Sequence, residues 1–84
     1  EITQPMVLNA GKMQYMMNEP AKAAEIFKVG IKDDLSDSTN REIARWYLAA
    51  LQKTGATDQA VYDRLMQVDP SEKASIEQLA NLTF

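Results

Sequence analysis

The sequence predicts an all-α domain built from antiparallel helical hairpins, with about five helices. Three observations support this fold class. Apolar residues recur at steps of three or four along most of the chain, which is the spacing of one helix face. Turn-forming Asn, Gly and Pro residues interrupt these runs at points that suit short connections. No alternating pattern is long enough to propose a strand.

The clearest hairpin lies in the middle of the chain. Apolar residues at helical spacing end at Gly55, which offers a left-handed stop, and a second apolar run begins with Ala60 and Val61. We therefore expect a helix over about residues 40–54, a tight turn, and an antiparallel helix over about residues 58–68.

A similar hairpin is expected at the start of the chain. Thr3 suits an N-cap, and Pro5 is tolerated in the first helical turn. The first helix then carries one apolar stripe that we expect to pack, formed by Met6, Val7, Ala10, Met13 and Met17. Asn18 and Pro20 mark the turn into a second helix over about residues 21–32, whose predicted packing seam is Ala23, Phe27 and Gly30.

Two further helix starts follow from capping patterns. Thr39 and Glu42 match a capping box after the polar connector at residues 33–38. Asp69 suits the N-cap of a fifth helix with Pro70 at its first position, running through Asn81. We expect its inner side to hold Ile76, Leu79, Ala80 and Leu82, and its polar residues, Glu72 among them, to face water.

Composition restricts the function. The 84 residues make one small domain with no Cys and no His, which removes disulfides, thiolate sites and the commonest general base. Twelve acidic residues against nine basic ones, with no basic cluster, argue against nucleic acid. No apolar run approaches the roughly 20 residues of a membrane span. We therefore expect no enzyme, no catalytic residue and no cofactor.

The two hairpins can be superimposed on each other in sequence. Asn18 aligns with Gly55, Ala23 with Ala60 and Phe27 with Arg64, at an offset of 37 residues. Such self-similarity is typical of stacked helical hairpins. The chain here resembles the tetratricopeptide repeat (TPR) family, on residues Ala10, Gly11, Ala23, Phe27, Gly30, Tyr47, Leu48, Leu51, Gly55, Ala60 and Pro70. Arg64 departs from the family, which has a large apolar residue there.

This resemblance implies a single TPR-like domain stacked as a short right-handed superhelix. Repeat one would span about residues 4–37, repeat two about 41–70, and a capping helix about 70–82. It also implies a concave groove that binds a polypeptide, with an acidic partner favoured. The eight residues that we expect at the groove, with Trp46 as an aromatic contact and the others placed there by the resemblance, are Lys12, Tyr15, Met16, Arg45, Trp46, Ala49, Gln52 and Lys53.

Other interpretations remain open at this stage. The chain could be a spacer or self-association unit of a larger helical-repeat protein, with a homodimer formed around Met6 and Met13, or a helical bundle without repeats. A helix-turn-helix DNA binder is disfavoured because the candidate recognition helix, around residues 75–79, carries no Arg. We interpret most of the methionines as core packing rather than a metal site, and the acidic connector as solvated rather than calcium-binding. We expect the chain to be part of a longer bacterial-type protein, which leaves cytoplasm and periplasm equally open.

Overall fold

A computed structural model describes all 84 residues and contains five helices joined by short connections. Helix α1 spans Gln4–Met16, α2 Pro20–Gly30, α3 Ser38–Lys53, α4 Gln59–Val68 and α5 Glu72–Ala80. The chain forms no strand, so the prediction of a compact all-α domain is confirmed. None of the five helices is both long enough and apolar enough to cross a membrane.

Helix α3 is the centre of the molecule. It packs against all four other helices, and it supplies seven buried residues: Asn40, Ile43, Ala44, Tyr47, Leu48, Ala49 and Ala50. Helices α1 and α2 pack closely on each other and on α3, whereas α4 touches its neighbours only lightly. The core is therefore concentrated around the first three helices and the inner side of α5.

Two glycines set the close approach of α1 and α2. A Cβ atom on Gly11 would lie 2.2 Å from the ring of Phe27, and one on Gly30 would lie 2.8 Å from the side chain of Val7. Ala23, Phe27 and Gly30 are all buried, so the predicted packing seam of α2 is confirmed. Small residues allow this contact because the two helix backbones must approach closely for Phe27 to fit between them.

The turns of the two hairpins share one backbone feature. Asn18 is the single non-glycine residue with positive φ, at 63°, and Gly55 is the single glycine with positive φ, at 82°. These two residues are the pair that the 37-residue offset superimposes. The turn within each hairpin therefore contains one residue in the left-handed conformation, which Gly and Asn adopt at the least cost.

Only some of the predicted helix starts agree with the structure. Thr3 caps α1 by accepting a hydrogen bond from the backbone nitrogen of Met6, as predicted. The capping box at Thr39 is wrong, because α3 begins two residues earlier and Asp37 caps it. Asp69 likewise does not cap α5; its carboxylate accepts from Ser71, and the helix begins at Glu72.

Three predicted environments are wrong. The side chains of Met6, Met13 and Met17 are more than half exposed, so they do not pack in the core. The buried stripe of α1 is instead Val7, Gly11 and Tyr15. Glu72 is buried rather than facing water, and Leu82 is exposed rather than on the inner side of α5. On α1 the close contact with Phe27 covers the Gly11 side, and Glu72 is buried because it binds Arg45. Leu82 is exposed because α5 ends at Ala80, before this residue.

Candidate interaction surface

The start of α5 is fixed to α3 by a partly buried ion pair. Arg45 donates from Nε and Nη2 to the two carboxylate oxygens of Glu72, both at 2.7 Å. Arg41 lies next to the same carboxylate, with its Nε 3.6 Å away. The two hydrogen bonds to Glu72 raise the pKa of Arg45. Because this geometry is bidentate and the Glu72 side chain is only 5% exposed, the pair orients α5 on α3.

The other end of α5 is held by side chains from α1 and α3. The hydroxyl of Tyr15 donates to the backbone oxygen of Leu79, and the ammonium of Lys53 donates to that of Leu82. The ring of Phe84 meets that of Tyr15 edge to face, with centroids 5.8 Å apart. Burial raises the pKa of Tyr15 to about 12. Tyr15 thus connects α1 to the end of α5.

An aromatic cluster lies between α1 and α3. The ring of Trp46 contacts that of Tyr15 edge to face at 5.4 Å and lies 6.4 Å from that of Phe27. The ammonium of Lys12 lies 5.2 Å from the centre of the Trp46 ring and 3.1 Å from a carboxylate oxygen of Glu42. Trp46 is therefore an inter-helix contact, and Lys12 is the cation that covers it.

The eight residues predicted at the groove therefore fall into two groups. Six of them contact or face other helices of the same chain: Lys12, Tyr15, Arg45, Trp46, Ala49 and Lys53. Tyr15 and Ala49 have almost no exposed surface, at 1% and 0%. Met16 and Gln52 are exposed. In this arrangement α5 occupies the position beside α3 that a partner was expected to take, and binding of a partner by these residues stays a prediction.

A different surface is open on the far side of α1. Large apolar side chains are exposed there, with 70% exposure at Ile2, 53% at Met6, 63% at Met13 and 64% at Met17, and Val29 of α2 beside them is 73% exposed. With Ala10 and Ile26 they form what we call the outer face: Ile2, Met6, Ala10, Met13, Met17, Ile26 and Val29. It contains a hollow of about 340 Å³ whose lining is entirely apolar.

One feature of the sequence indicated that the outer face is exposed, namely the scarcity of charged residues on α1, although its apolar stripe predicts core packing. Helix α1 has only one charged residue, Lys12, and this side chain points to Glu42 rather than to the outer face. A helix that lies at the edge of a domain usually carries charged residues on its solvent side. Charged residues are absent from this side of α1, so the outer face is a continuous apolar surface rather than a mixed solvent face.

Tyr47 and Asp58 form a hydrogen-bonded pair in which both pKa values are shifted. The hydroxyl of Tyr47 donates to the carboxylate of Asp58 at 2.7 Å. Burial, together with this hydrogen bond, raises the pKa of Tyr47 to about 12, and the same bond lowers the pKa of Asp58. Asp58 also caps α4 through the backbone nitrogen of Val61, so this pair fixes the start of α4. No group of three His, Cys, Asp or Glu residues has the geometry of a metal site.

Comparisons with known proteins add no further assignment. No protein-family model matches the chain, and comparisons with curated proteins and with solved structures find no significant match. The resemblance to tetratricopeptide repeats therefore depends on the residues quoted above and on how the helices pack, and it stays a prediction.

Proposed function

We propose that this chain is a protein-interaction module and that it docks a partner helix on the outer face. The observation that carries the proposal is the row of exposed, uncharged side chains along α1, continuous with Ile26 and Val29 of α2. Contiguous apolar patches of several hundred Å² on a small domain are often functional. The α1–α3 groove supports the proposal less well, since Tyr15 and Arg45 already bind α5 and Lys53 binds the backbone just after it.

We also propose that the fold is a degenerate TPR-like stack of two hairpins and a capping helix. Three features support this arrangement: α3 packs on both α1 and α5, α2 packs on both α1 and α3, and the turn of each hairpin contains a left-handed residue. The second hairpin differs because Arg64 stands where Phe27 stands in the first. Its guanidinium leaves the core and donates to the backbone oxygens of Lys32 and Asp33, which explains the light packing of α4.

The docking proposal is tested by comparing three forms of the chain in an affinity capture from a lysate of the source organism. The native chain and a Val68→Lys control, which changes an exposed apolar residue outside the outer face, should retain the same protein. A Met6→Lys/Met13→Lys variant of equal helical content should lose it. Equal recovery from all three forms would overturn the proposal.

A second measurement locates the contact. The five methionines can be labelled with ¹³C at their methyl groups, and the recovered protein is then added to the purified chain. We expect the signals of Met6, Met13 and Met17 to shift while that of Met66, which lies on α4, stays in place. A shift confined to Met16 would place the partner at the α1–α3 groove instead.

A further inference from the structure

We infer that the helix docked on the outer face is α1 of a second copy of this chain, with the two α1 helices antiparallel. The inference rests on the proposed function, because it names the occupant of the same surface. Four observations carry it: the spacing of the exposed residues, the absence of charge, the hollow beside Ala10, and the size of the patch.

The spacing is that of a coiled-coil seam. Met6, Ala10, Met13 and Met17, which we call the heptad row, follow one another at steps of four, three and four residues. Apolar residues at alternating steps of three and four keep one seam facing a partner helix. The three methionines of the heptad row are more than half exposed, so the seam has no partner within the chain.

Charge favours a second copy of the same surface. The chain has a net charge of −3, so two copies repel each other weakly overall. The heptad row carries no charge, and the one cation of α1, Lys12, is paired with Glu42 on the other side of the helix. Two copies can therefore meet along α1 without burying an ammonium or a carboxylate, which would be costly.

The hollow beside Ala10 favours the antiparallel arrangement. When the two α1 helices run in opposite directions, the heptad row pairs Met6 with Met17 of the second copy and Ala10 with its Met13. A flexible Met side chain then fills the apolar hollow of about 340 Å³ beside Ala10. A parallel pair would set Ala10 against Ala10 and leave that hollow empty, and it would also align the two helix dipoles unfavourably.

The exposed area of the outer face suits a weak dimer interface. The exposed large side chains of the outer face leave roughly 500 Å² of mostly apolar surface, close to the upper end of what monomers expose and below the ~800 Å² per partner of a standard interface. We therefore expect an equilibrium between monomer and dimer that depends on concentration.

Sedimentation equilibrium tests the self-association directly. The native chain and the Val68→Lys control should both shift from monomer to dimer as concentration rises, and the Met6→Lys/Met13→Lys variant should require at least roughly 100-fold higher concentration, because two ammonium groups would enter the seam. A native chain that stays monomeric up to millimolar concentration would overturn the inference.

Engineered cysteines test the orientation, since the native chain has none. Along one helix, positions 6 and 17 are about 16 Å apart, too far for a disulfide within one copy. A Met6→Cys/Met17→Cys variant should form a covalent dimer on oxidation, whereas Met6→Cys alone and Met17→Cys alone should not. A covalent dimer from Met6→Cys alone would overturn the antiparallel arrangement.

The two proposals fail separately. A chain that stays monomeric but still captures a protein through Met6 and Met13 overturns only the second copy as occupant. A chain that captures the same protein whether or not these methionines are replaced overturns the docking surface itself.

Discussion

The guanidinium of Arg45 and the carboxylate of Glu72 face each other across the α3–α5 contact, joined by two hydrogen bonds of 2.7 Å. The carboxylate is nearly buried, at 5% exposure, while the Arg45 side chain is 28% exposed. Removing Arg45 should therefore destabilise the fold more than removing the charge of Glu72. A buried carboxylate cannot recover its hydration, whereas a partly exposed guanidinium can.

We predict that Arg45→Met lowers the free energy of unfolding by about 3 kcal/mol, because it leaves Glu72 buried with only the more distant Arg41. Glu72→Gln should cost less, and the double variant Arg45→Met/Glu72→Gln should cost less than the sum of the two single changes. Urea denaturation of the four forms measures this coupling. Strict additivity would show that the pair does not hold α5 on α3.

The pair of Tyr47 and Asp58 predicts how stability depends on alkaline pH. The pKa of Tyr47 is raised to about 12, above the value near 10 of an unfolded chain, and that of Tyr15 is raised to about 12 by burial. A raised pKa stabilises the fold fully below pH about 10, and this stabilisation is lost as the pH rises from about 10 to about 12. Stability measured over this range should fall.

Tyr47→Phe separates the contribution of Tyr47 from that of Tyr15. In this variant the alkaline loss of stability should be smaller, and ultraviolet titration should show one fewer tyrosine ionising near pH 12. The pKa of the Asp58 carboxyl should rise toward its ordinary value, since the hydrogen bond from Tyr47 is the largest cause of its depression. Carboxyl NMR measures that pKa, and an unchanged value in the variant would contradict the assignment.

The paired turn residues Asn18 and Gly55 predict opposite responses to substitution. Asn18 has a φ of 63°, so Asn18→Gly should be neutral or stabilising by a few tenths of a kcal/mol. Gly55 has a φ of 82° with open space around it, so Gly55→Ala should cost about 1 kcal/mol through backbone strain alone. Thermal unfolding of both variants measures these effects. A Gly55→Ala variant as stable as the native chain would show that the second turn can use another conformation.

These turns also show what the sequence could predict. Turn chemistry is local, because a residue with positive φ is readily recognised as Gly or Asn between two apolar runs, and so the number and order of the helices were correct. The choice of the buried face of α1 was wrong. Val7, Gly11 and Tyr15 are also spaced by four residues, but a glycine adds nothing to an apolar count. Its value as a packing site appears only when Phe27 lies against it.

The contacts made by α5 could not have been predicted in the same way. Arg45 and Glu72 are 27 residues apart, and nothing in the local pattern of either helix selects the other as a partner. The resemblance placed Arg45, Ala49 and Lys53 correctly on one face of α3, because they are four residues apart. It did not predict that the chain's own fifth helix lies on that face.

The buried side chain of Asn40 joins the α2–α3 connection to the start of α1. Its amide donates to the backbone oxygens of Lys32 and Asp34, and its carbonyl accepts from the backbone nitrogen of Lys32 and from Gln4. We predict that Asn40→Asp lowers the free energy of unfolding by about 2–4 kcal/mol, since two donors are lost and a charge is buried. The exposed Asn9→Asp change is the matched control and should cost little. Equal effects in chemical denaturation would argue against this role.

The contact between Gly11 and Phe27 gives the last prediction. Gly→Ala in a helix normally stabilises it by about 1 kcal/mol, but here the new Cβ would lie 2.2–2.6 Å from three ring atoms of Phe27. We expect Gly11→Ala to cost about 1–3 kcal/mol, because α1 and α2 must separate or the ring must move. Phe27→Leu also destabilises, through a cavity, yet it provides the space that the added methyl group needs. The double variant should therefore be more stable than the sum of the two single costs predicts, and denaturation of all four forms would reveal this coupling. If the costs simply add, α1 and α2 do not depend on this close approach.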